Sequence, residues 1–334
     1  VKPTLPPDAP TIVTAFAGGG GVEAGAVMAG IRPIASVEFD PTMPNLSAAL
    51  ADANDLNFAE YGHEVIRRSI QDCADELPRA DIFHASPVCT NFSLAKRDRG
   101  ERSLDVEMAE AVTRAINSVH PRIVTIENVP AYRKSESWYM IRDYLWSEGY
   151  WVKEAVFNAA DFGTPQDRRR FFGIAVRHAF APQIQPQGVK IGWWDAIKSF
   201  AYELPETTLL PVEKNAIKPH GSATPLLIER SGYRNGTPRV LTKDEPMWTI
   251  LRRVSCDWHN GEKDKMSDRN RFIDIITDDG IARQADGRCL ARWGGFPDWY
   301  QMPKSLAVTG SIVGYSVPPP LYYGLISQIA NLSP

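Results

Sequence analysis

Short apolar runs alternate with helix-spaced segments through the first half of the chain, a pattern that predicts a parallel α/β sheet. Thr11–Phe16 reads as a strand, followed by a glycine run and a helix through Ala29. Ile34–Glu38 and Asp81–Ala85 read as two more strands, the latter running into Ser86-Pro87-Val88-Cys89. Within Leu104–Val119 the apolar residues Val106, Ala109, Val112, Ala115 and Ile116 have helical spacing. Arg122–Ile126 reads as a strand ending on Glu127-Asn128, and Tyr150–Phe157 with Phe171–Val176 as a closing pair of strands. The periodicity breaks near Pro182. From there to about Asp286 the chain is rich in Pro, Gly, Lys, Arg and Trp with only short strand-like runs, which predicts a second, irregular domain. Helical patterning returns over Pro318–Leu332 behind three prolines, a favourable helix start.

The chain has 334 residues, 43% of them hydrophobic, enough for one large core or for a core with a smaller satellite. No apolar stretch is long enough to span a bilayer. Residues 1–10 are proline-rich and lack the layout of a signal peptide. Cys73, Cys89, Cys256 and Cys289 are scattered, with no CxxC pair, so neither a disulfide framework nor a metal site is expected. A reducing, cytoplasmic setting follows. The net charge of −3 argues mildly against nucleic acid as a partner, but it hides local fields. Between Glu213 and Arg271 there are 12 Lys and Arg against 8 Asp and Glu, a balance of +4, and Arg168-Arg169-Arg170 form a second basic knot.

Candidate chemistry clusters at the predicted strand ends. Phe16-Ala17-Gly18-Gly19-Gly20-Gly21 lies between a strand and a helix, where glycines let a nucleotide-like ligand approach the backbone. Glu38 ends the next strand, 18 residues after Gly20, the place where open α/β folds set a carboxylate against ribose hydroxyls. A flexible loop and a surface acid would look the same. Cys89 follows a strand end and is surrounded by Thr90, Asn91 and Ser93, with Lys96-Arg97-Asp98-Arg99 beyond. A buried apolar cysteine and a solvated turn are the alternatives; a nucleophile under a loop that closes on a polyanion is the functional one. Glu127 is either a hydrogen-bonded structural acid or a proton donor to a ring nitrogen. Gln166, Arg168 and Arg170 alternate into a strand and should share one face, which is either a site for a carboxylate or phosphate or a plain surface ladder.

Taken in order, the glycine loop, strand-end Glu, Pro-x-Cys, Glu-Asn-Val, Gln-x-Arg-x-Arg and a distant Gly-x-Ser-Val-Pro resemble the cytosine-C5 DNA methyltransferase family. The likeness runs from Thr11 to about Val176 and resumes from about Arg288, where Ala291-Arg292 and Gly295-Phe296-Pro297-Asp298 match a late family stretch. The resemblance implies a Rossmann-like S-adenosylmethionine-dependent methyltransferase fold. Residues 1–180 would form the catalytic and cofactor domain, 181–286 a smaller irregular target-recognition domain, and 287–334 a segment returning to the catalytic domain. It implies Cys89 as nucleophile on carbon 6 of a flipped cytosine, Glu127 at N3, and Arg170 on the base oxygen with Arg168 nearby. It implies S-adenosylmethionine as cofactor, with Phe16 on the adenine, Glu38 on the ribose and Asp72 at the adenine edge. Gly18, Gly20, Gly21, Phe39, Cys73, Pro87, Tyr315, Ser316 and Val317 would complete that pocket. Double-stranded DNA is the implied partner, gripped by Ser93, Lys96, Arg97, Arg99, Gln166, Arg230, Arg234, Arg239, Arg252 and Arg253. A monomer in the cytoplasm of a bacterium or a phage-infected cell is expected.

Several positions depart from the family pattern. Val88 and Thr90 flank the cysteine in place of Pro and Gln, and Cys289 and Gly294 replace a Glu and a Gln. Tyr315 stands where the family has an asparagine at the methionine end of the cofactor. That last change opens an alternative in which a modified S-adenosylmethionine analogue donates a group other than methyl. Other readings are the same chemistry on tRNA, a catalytically silent DNA-binding relative, and a nicotinamide oxidoreductase, which gives Cys89 with Glu127 no role.

Overall fold

A computed structural model of the chain describes residues 1–87, 101–229, 237–251 and 273–330. The strands of its main sheet are β1 (Thr11–Ala15), β2 (Arg32–Val37), β3 (Glu64–Ile66), β4 (Ile82–Ala85), β5 (Ile123–Asn128), β6 (Tyr150–Asn158) and, after the two-residue β7 (Gln166–Asp167), β8 (Arg169–Arg177). The seven are ordered β3-β2-β1-β4-β5-β8-β6. The first five run parallel, and β8 is antiparallel to both β5 and β6. The chain goes outward from β1 to β2 and β3, then crosses to β4 on the other side. The crevice at that reversal, outside the strands' C-terminal ends, is where open α/β sheets hold ligands.

Both faces of the sheet are covered, which explains why its strands read as apolar runs. On one face Val13, Ala15, Phe83, Val124, Ile126 and Phe171 pack against α3 (Ile70–Cys73), α4 (Ser103–Val119) and α5 (Glu136–Ser147). On the other, Ile12, Ile82, Ile123 and Ile174 meet α1 (Gly21–Met28) and α9 (Pro319–Ile326). A Cβ on Gly25 would stand 2.7 Å from Pro319 O, so that glycine sets how closely α1 and α9 approach. The C-terminal segment therefore builds the wall behind the glycine loop.

Gly173 in β8 is under the same constraint, because an added Cβ would fall inside the ring of Trp138. Trp138 is fully buried, stacks edge-on against Phe171 and donates from Nε1 to Glu154 at 2.9 Å. Gly173→Ala is expected to cost about 1–3 kcal/mol by overpacking. It should read as a lower urea midpoint at unchanged m.

Beyond the main sheet, β9 (Leu226–Glu229), β10 (Arg239–Thr242), β12 (Ile273–Ile276) and β13 (Ala282–Gln284) form an antiparallel sheet ordered β10-β9-β12-β13. The intervening β11 (Met247–Trp248) pairs in parallel with β7. The irregular stretch thus contains an ordered sheet whose strands, at three or four residues, are too short to set a period. One buried cluster joins Trp193, Leu227, Met247, Ile250 and Ile275 to Leu50 of α2 (Pro44–Phe58). It also takes in Leu290 and Trp293 of α7 (Gly287–Trp293) and Ile312 of α8 (Leu306–Tyr315). Among the described residues no helix is long and apolar enough to cross a membrane.

Candidate active site

The glycine loop begins one residue earlier than its strand pattern predicts. β1 ends at Ala15, and Phe16 (φ 60°) and Gly18 (φ 56°) take left-handed conformations that turn the chain at the sheet edge. The Gly18 N–H donates to Glu38 Oε2 at 2.8 Å, and Ser47 Oγ donates to Glu38 Oε1 at 2.8 Å. Burial pushes the Glu38 carboxyl above its ordinary range. Asn54 Nδ2 approaches Gly18 O at 3.4 Å, and the Tyr300 hydroxyl donates to Gly19 O.

The four glycines do different work. Only Gly18 has open space where a Cβ would stand. A Cβ on Gly19 would be 2.6 Å from Ile312, one on Gly20 would strike Phe58, and one on Gly21 would be 2.5 Å from Val317 O and 2.7 Å from Ser316. Gly20 and Gly21 have no room for a side chain because α2 and the Ser316-Val317 segment press on them. Ser316 and Val317 are themselves buried, and Ser316 Oγ has no partner among the described residues. Tyr315 is 41% exposed at the end of α8. Phe39 is 44% exposed, Asp72 is exposed, and Cys73 is buried with its thiol on Ser69 O at 3.2 Å and pushed up by that burial.

At the centre of the sheet edge, β4 and β5 end side by side. Asn128 Nδ2 donates to Pro87 O at 3.0 Å, tying the two strand ends together just before the chain runs on to Cys89. Glu127 is buried, and Arg170 Nε meets its Oε1 at 3.0 Å with both side chains little exposed. Beneath them lies a polar chain that the linear pattern does not reveal. Tyr322 OH lies 3.3 Å from Thr125 Oγ1, Thr125 Oγ1 lies 2.8 Å from His84 Nδ1, and His84 Nε2 lies 2.9 Å from Ser86 Oγ. Burial holds the His84 ring neutral, its pKa lowered to about 3.

Gln166 and Arg168 are buried and Arg170 half-buried while Asp167 and Arg169 between them are exposed, so the expected alternation is present, although the strand is interrupted at Arg168, between β7 and β8. Gln166 and Arg168 converge on Ile250, and Arg170 turns to Glu127. Gln166 is wholly buried, donating to Trp293 O at 3.2 Å and accepting from Ile250 N at 3.4 Å. Arg168 is buried with its guanidinium on Ile250 O (3.2 Å) and Gly314 O (2.9 Å). It staples the second sheet's neighbourhood to the end of α8, while Arg170 alone reaches Glu127. Arg239 pairs with the buried Glu229 and stacks 4.4 Å above Trp248, so part of its charge is already committed. Cys89, Ser93, Lys96, Arg97, Arg99, Arg230, Arg234, Arg252 and Arg253 lie outside the described residues. Among the described residues no group of three or more His, Cys, Asp or Glu could hold a metal ion.

A doubly wound sheet with a glycine loop at the switch point, a buried acid after β2 and a paired carboxylate at the end of β5 fits a Rossmann-like methyltransferase. Within that class the chain belongs to the C-5 cytosine-specific DNA methylases, whose family model matches residues 11–331. It is a transferase of the DNA cytosine-5 type. It is 23% identical over 342 aligned positions to Type II methyltransferase M.FnuDI of Fusobacterium nucleatum, covering 95% of this chain and 93% of that one. To Type II methyltransferase M.NgoPII of Neisseria gonorrhoeae it is 24% identical over 336 positions, covering 95% and 94%. The solved Dnmt2 methyltransferase of S. pombe shares the fold, with a TM-score of 0.62 at 16% identity over 97% of this chain and all of that one.

Proposed function

We propose that the protein methylates carbon 5 of a cytosine turned out of duplex DNA, with Cys89 bonded transiently to carbon 6 and S-adenosylmethionine as donor. The observation that supports this most is the Glu127–Arg170 pair at the end of β5, hydrogen-bonded neighbour to the end of β4 from which the chain reaches Cys89.

The residues present fit the cofactor. Gly18 leaves its surface open, Glu38 ends the neighbouring strand, and Ser316 Oγ is buried without a partner among the described residues. Gly18, Glu38 and Phe16 would hold the nucleoside, with Asp72, Phe39, Cys73 and Pro87 around it and Ser316, Val317 and Tyr315 toward the methionine. S-adenosylmethionine, when bound, supplies an electrophilic methyl group that carbon 5 takes up as the methyl–sulfur bond breaks.

The protein's own part is to make carbon 5 nucleophilic. The Cys89 thiolate forms a bond to carbon 6, and the C5=C6 electron pair moves toward carbon 5. Glu127 stabilises the ring by hydrogen bonding or proton donation at N3, and Arg170 fixes both Glu127 and the base oxygen. Loss of the C5 proton to a base returns the pair to C5=C6 and expels Cys89. Arg168, spent on two carbonyls, buttresses this arrangement from inside the protein.

Mass spectrometry of nucleosides from DNA of cells expressing the protein tests the proposal. A 5-methylcytosine peak that disappears in Cys89→Ser is expected. A heavier 5-substituted cytosine would overturn methyl as the transferred group and point to Tyr315. No modified cytosine in DNA would overturn the substrate.

A further inference from the structure

Beside the strand that leads to Arg170, one exposed guanidinium is held in a fixed plane. Arg239 opens β10, the edge strand of the second sheet, directly opposite the buried Glu229 of β9. Its Nε donates to Glu229 Oε2 at 2.8 Å, and its Nη2 donates to the same oxygen. The guanidinium carbon lies 4.4 Å from the centre of the Trp248 ring, so the group is stacked as well as paired. Both hydrogen bonds use the edge formed by Nε and Nη2. The end of the fork, Nη1 and the second Nη2 hydrogen, has no partner among the described residues, and the side chain is 49% exposed.

Backbone pairing ties this group to the catalytic edge. Trp248 pairs with Asp167 in β7, Thr249 Oγ1 donates to Asp167 O at 2.7 Å, and Ile250 O accepts from Arg168. Two residues further on, Arg170 meets Glu127. With strands about 4.8 Å apart and about 3.3 Å of rise per residue, Arg239 lies within roughly 20 Å of that pair. About six stacked base pairs, at about 3.4 Å per step, cover the same distance.

We propose that Arg239 is a specificity-determining residue that reads a guanine close to the target cytosine in the major groove. Guanine alone presents two acceptors there, N7 and O6, the counterpart of two parallel N–H donors. Adenine and cytosine each set an amino donor against the fork, and thymine sets a methyl group beside its one acceptor. A backbone phosphate is the competing partner, and Glu229 decides against it. The carboxylate offsets the charge on which phosphate attraction depends, yet it fixes the direction of the fork, which is what base reading uses.

The inference rests on duplex DNA as the substrate, and the test keeps the two apart. The protein selects sites from a pool of random DNA duplexes, and the selected site is then varied one base pair at a time. Affinities are measured for the wild type, for Arg239→Lys, and for Arg239→Met combined with Glu229→Gln. The wild type should require guanine at one position, other bases there weakening binding roughly five- to 150-fold. Arg239→Lys keeps a cation for Glu229 and for any phosphate but lacks the fork, so it should lose most of that discrimination and keep it elsewhere. The double variant removes both charges together, leaves no buried carboxylate orphaned, and should lose the discrimination entirely. Urea unfolding shows which variants are folded, and either one alone decides. Variants that keep the wild-type discrimination at every position would overturn the proposal. So would variants weakened equally on all sequences, or a wild type that selects no guanine. 5-Methylcytosine in cellular DNA without an Arg239-dependent guanine overturns only the reader. An Arg239-dependent guanine without any 5-methylcytosine leaves the reader standing and overturns the methylation.

Discussion

Glu127→Gln is expected to lower kcat by roughly two to four orders of magnitude, the usual weight of a positioned acid or base. KM for DNA and affinity for S-adenosylmethionine should change little. The substitution keeps the shape of the side chain and an oxygen for the Arg170 Nε, now 3.0 Å from Glu127 Oε1, so the buried pair becomes a neutral–charged hydrogen bond. What it removes is the negative charge and the ability to pass a proton to the base. Arg170→Ala should behave differently. It leaves a buried carboxylate without its cation, which costs roughly 3–5 kcal/mol when a buried ion pair is broken on one side. That variant should therefore lose stability as well as rate. Single-turnover methyl transfer, cofactor titration and urea unfolding of both variants check the pair. Glu127→Gln within a few-fold of the wild-type rate would remove Glu127 from the chemistry.

Much of this frame is legible in the amino-acid order because buried parallel strands leave a strong mark. Asp81–Ala85 and Arg122–Ile126 are short apolar runs stopped by Ser-Pro and Glu-Asn, and both appear as strands one or two residues from their expected limits. α4 shows because only one of its faces is buried. By contrast, α2 hides its periodicity, since Ser47, Asn54 and Asn57 sit among its buried residues and serve the glycine loop and the chain near Gln301. The second sheet escapes for lack of length. At the site, strand-end residues such as Glu38 and Glu127 stand out because topology alone puts them at the crevice. Glu23 and His84 do not, because their meaning depends on partners far away in the chain: Asn54 for one, Thr125 and Tyr322 for the other. The glycine run shows a loop but not its packing: Gly19, Gly20 and Gly21 have Ile312, Phe58 and Val317 where a Cβ would stand.

Folding stability should fall steeply on the acid side, below about pH 4.5, and change little from there to neutrality. His63 is buried with no hydrogen-bond partner for either ring nitrogen among the described residues, its ring edge-on to Phe58, and burial lowers its pKa from 6.5 to about 4. His84, locked between Thr125 and Ser86, is lowered from 6.5 to about 3. Below pH 6.5 the unfolded chain takes up protons that these two folded rings refuse, so stability is lost as pH falls. The loss reaches roughly 3 kcal/mol for His63 by pH 4 and roughly 5 kcal/mol for His84 by pH 3. Glu23 works against them. Its pKa is raised from 4.5 to about 7, so the folded chain keeps a proton that the unfolded chain has released. Its contribution, roughly 3 kcal/mol, is present at low pH and disappears as pH rises from 4.5 to 7. Above pH 4.5 Glu38, which burial also raises, adds to Glu23, so two buried carboxyls oppose the two histidines and the pH dependence up to 6.5 is shallow. Above 6.5 the histidines no longer contribute, and stability declines as the raised carboxyls ionise. Urea midpoints measured across this range should show the steep acid limb. In His84→Gln the acid limb should lose about one proton of slope, because glutamine offers Thr125 and Ser86 a partner with nothing to titrate. In Glu23→Gln the decline above 6.5 should lessen, and stability should climb with pH between 4.5 and 6.5. An acid limb of unchanged slope in His84→Gln would mean that the ring is already protonated in the folded protein, and the Tyr322–Thr125–His84–Ser86 chain would then hold an ion rather than a neutral tether.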